Sequence, residues 1–190
     1  MNAVSESHPL SPFLPPQARC LFLGSFPPPK KRWSMEFFYP NWTNDFWRIW
    51  GLIAKGDKEY FAVAGAKRFD KERIEAFCWE AGIALYDTAE EVVRLRNNAS
   101  DNFLQVVLPT DLAALLGKIP GCHTIAATGQ KSAETLQALV GCAPLGVGEC
   151  CEADFAGRRL RIWRMPSTSR AFPRSIEWKA AFYRKLLDTL

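Results

Sequence analysis

No C-x-x-C pair occurs anywhere in the sequence, and there are only two histidines, His8 and His123. The six cysteines are Cys20, Cys78, Cys122, Cys142, Cys150 and Cys151. Zinc ribbons and four-cysteine iron–sulfur sites need thiolates paired at short spacing, and this pattern argues against both. Cys20, Cys78 and Cys122 stand in apolar stretches and read as small core residues. Cys142, Cys150 and Cys151 form the one cluster, and its spacing matches no common ligand pattern, so no metal and no cofactor is expected. There is no G-x-x-x-x-G-K-S/T phosphate loop and no G-x-S-x-G nucleophile elbow. No apolar run approaches the ~18 residues of a membrane span. The segment MNAVSESHPLSPFLPP has neither a basic region nor an apolar core of the secretory type. A cytoplasmic protein with reduced thiols, associated with the nucleoid if the source is bacterial, is the expectation.

What is present suits a folded domain. The chain has 190 residues, 48% hydrophobic and 23% charged, enough for one domain spanning 1–190 with a self-sufficient core. The net charge of +4 is unevenly spread. Residues 158–190 carry nine Lys/Arg against two acids, which makes that segment +7 and the remainder −3. A concentrated basic segment fits a phosphate-bearing partner, or a solvated face.

Prolines at 9, 12, 15 and 16 make residues 1–18 an extended arm. Arg19 to Gly24 is a short apolar run ending on glycine and reads as a buried strand. Thr43-Asn44 can cap a helix starting near Asp45, and Asp70 opens another in which Ile74, Phe77, Cys78 and Ala81 share a face. Gly82 ends that helix, and Ile83 to Tyr86 is a second strand. Thr88-x-x-Glu91 has the form of a capping box, so a helical turn is predicted there. Arg96 to Asn102 reads as a polar loop. Asp111 caps a helix over Leu112 to Leu116, closed by Gly117. His123 to Ala127 and Arg159 to Met165 are further strands, Ser132 to Val140 a helix, and Ile176 to Leu187 the closing amphipathic helix.

Apolar strands alternating with helices imply an α/β protein. The expected form is a three-layer αβα sandwich around a parallel sheet of about four strands. Ligands in such folds lie at the carboxyl ends of the strands. Four segments fall there: Gly24-Ser25-Phe26-Pro27, Asp87-Thr88, Thr128-Gly129-Gln130 and Pro166-Ser167-Thr168-Ser169. The last brings three hydroxyls together with Arg164, Arg170 and Arg174 and one aromatic, Phe172. These are the usual donors to phosphate plus a side chain able to wedge a base step, or else an ordinary capped turn.

Taken in order, Leu23-Gly24-Ser25-Phe26-Pro27, Tyr39 through Asn44-Asp45-Phe46-Trp47, and Met165-Pro166-Ser167-Thr168-Ser169 resemble the uracil-DNA glycosylase superfamily. The resemblance is greatest to its hypoxanthine-DNA glycosylase branch. It extends from about residue 9 to 185 and includes Gly82 to Asp87, Asn98 to Asn102 and Thr128 to Ala133. It implies a DNA glycosylase that flips a deaminated base (uracil, hypoxanthine or xanthine) and hydrolyses its N-glycosidic bond in base-excision repair. DNA is the implied partner, single- or double-stranded, for a monomer with no membrane contact.

The resemblance also implies roles. Asn44 would orient the attacking water, although an N-cap is an equally ordinary use of Asn; Asp45 is the weaker alternative. Gly24, Ser25, Phe26, Phe38, Tyr39 and Asp87 would form the base pocket, Asp87 by accepting a ring N–H unless it merely shapes the turn. Ser167, Thr168, Ser169, Arg170, Phe172 and Arg174 would bind DNA, and Lys30 to Arg32 would add a second backbone contact. Four departures stand out. Phe26 replaces the polar residue usual in the first motif, Pro28 follows where glycine is usual, Met165 replaces the His of uracil-specific enzymes, and Arg170-Ala171-Phe172 stands where the branch has Pro-Ala-Asn. They leave a second reading open, a nucleic-acid-binding protein of the same fold with weak or no catalysis. His8-Pro9-Leu10-Ser11-Pro12 has the look of that His motif, but it precedes the first strand and is assigned no role.

Overall fold

Strands β2 (Cys20–Gly24), β3 (Ile83–Asp87) and β6 (Thr124–Thr128) are buried at every position. Continuous burial of this kind belongs to parallel strands covered on both faces. The computed structural model describes residues 5–95 and 103–190. In it these strands and β8 (Arg158–Met165) run parallel, and β7 (Cys150–Phe155) joins the edge antiparallel, giving the order β3-β2-β6-β8-β7. The four parallel strands are those expected. The fifth was not, and its signal is faint: β7 is an edge with mostly polar, exposed positions. It turns into β8 through Ala156 and Gly157, both at positive φ (50° and 72°), the geometry of a two-residue type I′ hairpin.

Among the described residues, five α-helices flank the sheet. Phe22 of β2 contacts Phe46 and Trp50 of α1 (Phe46–Lys55) and stacks on Tyr183 of α5 (Ile176–Leu187). Phe77 of α2 (Lys71–Ala81) meets Trp50 from the same side. Helix α3 (Leu112–Lys118) precedes β6, and α4 (Gln130–Val140) packs on β6, β7 and β8. The caps are where the sequence places them: Asp70, Asp111 and Ser175 each accept a backbone N–H of the first turn, from Arg73, Ala114 and Trp178. Gly82 and Gly141 close α2 and α4. Gly117, expected to close α3, lies inside it.

The predicted helical turn after Thr88 does not form. Ala89–Arg94 is strand β4, paired antiparallel with β1 (Ser5–Ser7) and β5 (Leu104–Pro109) in a separate three-stranded sheet. Ala89 and Val92 are fully buried against Phe26 and Leu104, and that long-range burial outweighs a local capping pattern. The expected polar loop, Arg96 to Asn102, lies outside the described residues. The arm is extended as expected, but it is not loose. Beyond β1, Phe13 and Leu85 exchange both backbone hydrogen bonds, at 2.8 and 3.0 Å.

Candidate functional site

Because β2, β3, β6 and β8 point the same way, their carboxyl ends gather at one edge, with Gly24 level with Asp87 and Thr128 level with Met165. A cavity of about 700 Å³ opens there. That is within the range of small-ligand sites, roughly 300–1,000 Å³. Gly24, Ser25, Phe26, Phe38, Tyr39, Asn44, Asp87, Ser167, Thr168, Ser169 and Phe172 all line it. Arg170 and Arg174 do not: Arg170 pairs with Asp45 and Arg174 lies over the Trp178 ring.

Gly24 is required by close approach. A Cβ built on it would stand 2.2 Å from Asp87 Oδ1, so any side chain there would evict the carboxylate. Tyr39 is held at φ 50°, a left-handed conformation that bulky residues avoid. In that pose its ring stacks on Phe46 at 3.7 Å and its hydroxyl shares a 2.9 Å hydrogen bond with Thr128 Oγ1. Phe38 is buried and its carbonyl accepts the Trp47 indole N–H. Phe26 turns into the small core beside β4, and the Arg94 guanidinium lies over its ring and donates to the Pro27 carbonyl. The position that is polar in the resembled superfamily is thus apolar and packed.

Asn44 stands one residue before the N-cap of α1, Asp45, and lines the cavity. Its Oδ1 accepts the Phe46 N–H at 2.9 Å, which fixes which end of the amide is oxygen and leaves a second lone pair on it. The segment is stitched to the serine loop. The Asp45 N–H donates to the Thr168 carbonyl at 2.8 Å, and Asn44 bridges Ser169. Asp45 itself is not available for chemistry. It is buried, and its oxygens accept from Lys179 Nζ at 2.8 Å and Arg170 Nε at 3.3 Å. Lys179, wholly buried, also donates to the Ser169 carbonyl at 3.1 Å.

No protein-family model and no curated protein matches this chain. Among solved structures it is similar to the solution NMR structure of a "putative Uracil DNA glycosylase" from Methanosarcina acetivorans. The TM-score is 0.64 at 22% identity, over 95% of this chain and 98% of that one. The fold is uracil-DNA-glycosylase-like. At this identity the likeness concerns architecture, and the site must speak for itself.

On that uracil-DNA-glycosylase-like scaffold the cavity takes in residues that sequence reasoning left at the margin. Arg32, from the basic run, reaches it, as do Gln130, Lys131 and Glu134 of α4. Outside the lining, behind Asp87, lies His8. Its Nε2 lies 2.8 Å from Asp87 Oδ2, its side chain is 2% exposed, and it packs on Tyr86, Phe26 and Phe38. The arm runs antiparallel along β3 and β4, and this brings His8 beside Asp87 at the end of β3. Tyr86 beside it is pushed up to about 12, first by burial and then by Glu90 and Asp87, so it stays a neutral phenol near pH 7. Cys142, Cys150 and Cys151 are free thiols and do not line the cavity.

Proposed function

We propose that this protein is a DNA glycosylase of the monofunctional kind. It flips a deaminated base into the cavity and hydrolyses the N-glycosidic bond. The observation that carries the reading is the convergence, in one cavity, of an oriented amide, a carboxylate, aromatic rings and a hydroxyl loop. A base inside a duplex cannot be reached, so the nucleotide must be extruded at a cost of a few kcal/mol. Phe38, Tyr39 and Phe26 offer apolar surface to the base, and Asp87 offers an acceptor to its edge. Ser167, Ser169, Arg32 and Lys131 offer donors to the flanking phosphates.

As the bond to C1′ lengthens, the sugar acquires oxocarbenium character and the electron pair leaves with the base. Asn44 Oδ1 accepts a hydrogen bond from water and aims its oxygen at C1′. The amide is no strong base, so orientation rather than deprotonation is its contribution. The water proton is lost only after the new C1′–O bond forms and passes through solvent to the departed base anion, so the products are the neutral free base and an abasic sugar. The hypoxanthine branch is the preferred assignment, since Asn44 supplies the polar group that Phe26 cannot.

The test is base release from end-labelled oligonucleotides carrying uracil, hypoxanthine or xanthine, single- and double-stranded. Release from one of them that falls at least about 100-fold in Asn44→Ala is the expected result. The buried, packed Phe26 favours one competing reading, a DNA-binding protein without catalysis. DNA binding with no release from any substrate would establish that one instead.

A further inference from the structure

The arm residue His8 has no part in the chemistry above, yet its side chain is only 2% exposed and lies directly behind Asp87 of the cavity lining. Its backbone N–H donates to the Glu90 carbonyl at 2.8 Å, and its Nδ1 lies 2.9 Å from the Leu10 carbonyl oxygen and 3.2 Å from the Leu10 nitrogen. The ring is boxed by Tyr86 at 4.6 Å, Phe26 at 5.3 Å and Phe38 at 6.3 Å. The other ring nitrogen, Nε2, makes a 2.8 Å bond to Asp87 Oδ2. The carboxylate is itself 9% exposed, and its other oxygen, Oδ1, sits over Gly24 on the cavity wall.

A free carboxylate presents two acceptors side by side and best matches two parallel donors. With Oδ2 taken, Asp87 presents one. We infer that His8 is a positioning residue that converts Asp87 into a single-acceptor reader of a lactam edge, a ring N–H next to a carbonyl. This rests on the glycosylase reading of the cavity. Deamination produces that edge. Cytosine N3 and adenine N1 are lone-pair acceptors, and in uracil and hypoxanthine the same ring positions carry N–H. Asp87 Oδ1 attracts the deaminated form and repels the parent base, whose lone pair it would face.

The experiment measures equilibrium binding of oligonucleotides with an uncleavable 2′-fluoroarabino nucleotide. The bases are uracil against N3-methyluracil and hypoxanthine against N1-methylhypoxanthine. The wild-type protein should favour the N–H member of at least one pair by about tenfold or more, as expected for a hydrogen bond to a charged acceptor. His8→Gln, which retains an N–H donor toward Oδ2, should keep that ratio, whereas His8→Leu should bring it to within about threefold of unity. A purely structural role would weaken both members together and leave the ratio intact. An unchanged ratio in His8→Leu, or no preference in the wild type, overturns the inference. Base release from the cleavable counterparts decides the glycosylase reading separately: a protein that binds with preference but releases nothing keeps the His8 assignment and loses the enzyme.

Discussion

Replacing Lys179 by methionine should be among the most damaging single changes in this protein. The Lys179 side chain has no exposure and that of Asp45 has 6%, so both charges sit out of water. Methionine removes the 2.8 Å partner of Asp45 Oδ2 and the 3.1 Å donor to the Ser169 carbonyl. What remains for Asp45 is Arg170 at 3.3 Å, whose side chain is 51% exposed and therefore well screened. Leaving a buried carboxylate so poorly compensated costs about 3–5 kcal/mol. Total stability is only about 5–15 kcal/mol, so the transition should move far in urea. The double variant Asp45→Leu/Lys179→Met removes both charges and should recover at least about 2 kcal/mol of the loss. The pair also ties the Asn44 segment to the serine loop, so base release should fall in the single variant even where it remains folded. A Lys179→Met cost below about 1 kcal/mol, or no recovery in the double variant, would refute this account of the buried pair.

Four further outcomes are expected. Gly24→Ala drives a methyl group into Asp87 Oδ1, so it should lower stability by about 1–3 kcal/mol in denaturant titration and abolish the N–H preference in the binding assay. Ala156→Asn places Asn-Gly in a turn that demands positive φ at both positions, and should raise the urea midpoint by an amount corresponding to about 0.5–1 kcal/mol. The Tyr183 hydroxyl is buried and meets no hydrogen-bond partner among the described residues, so Tyr183→Phe should be neutral or stabilising by up to about 1 kcal/mol in calorimetry. Arg32→Ala and Lys131→Ala should each reduce the slope of log affinity for DNA against log salt by about one, measured by fluorescence anisotropy.

Local physics accounts for what could be read without the structure. The apolar runs Cys20–Gly24, Ile83–Asp87 and Thr124–Thr128 have no polar alternation, which a strand buried on both faces does not need. Asp70, Asp111 and Ser175 announce helix starts because a short side-chain acceptor can reach only the N–H groups a few residues ahead. The four strand ends then place Gly24, Asp87, Thr128 and Ser167 at one edge through register alone. Asn44 was expected at the site from its motif and lines the cavity, but the N-cap of α1 is its neighbour Asp45, which the sequence offered only as the helix start.

The rest was decided by partners remote in sequence. Thr88-x-x-Glu91 carries a helix signal, yet β4 forms because Val92 finds Phe26 and Leu104 and because β1 and β5 supply its hydrogen bonds. His8 meets Asp87 across 79 positions, and Lys179 meets Asp45 across 134. No periodicity, spacing or cap encodes such pairs. Their desolvation is favourable only once the whole sheet edge has assembled around them, so composition and pattern determined the α/β scaffold and the strand ends that line its cavity, while tertiary packing alone decided which charges pair behind them.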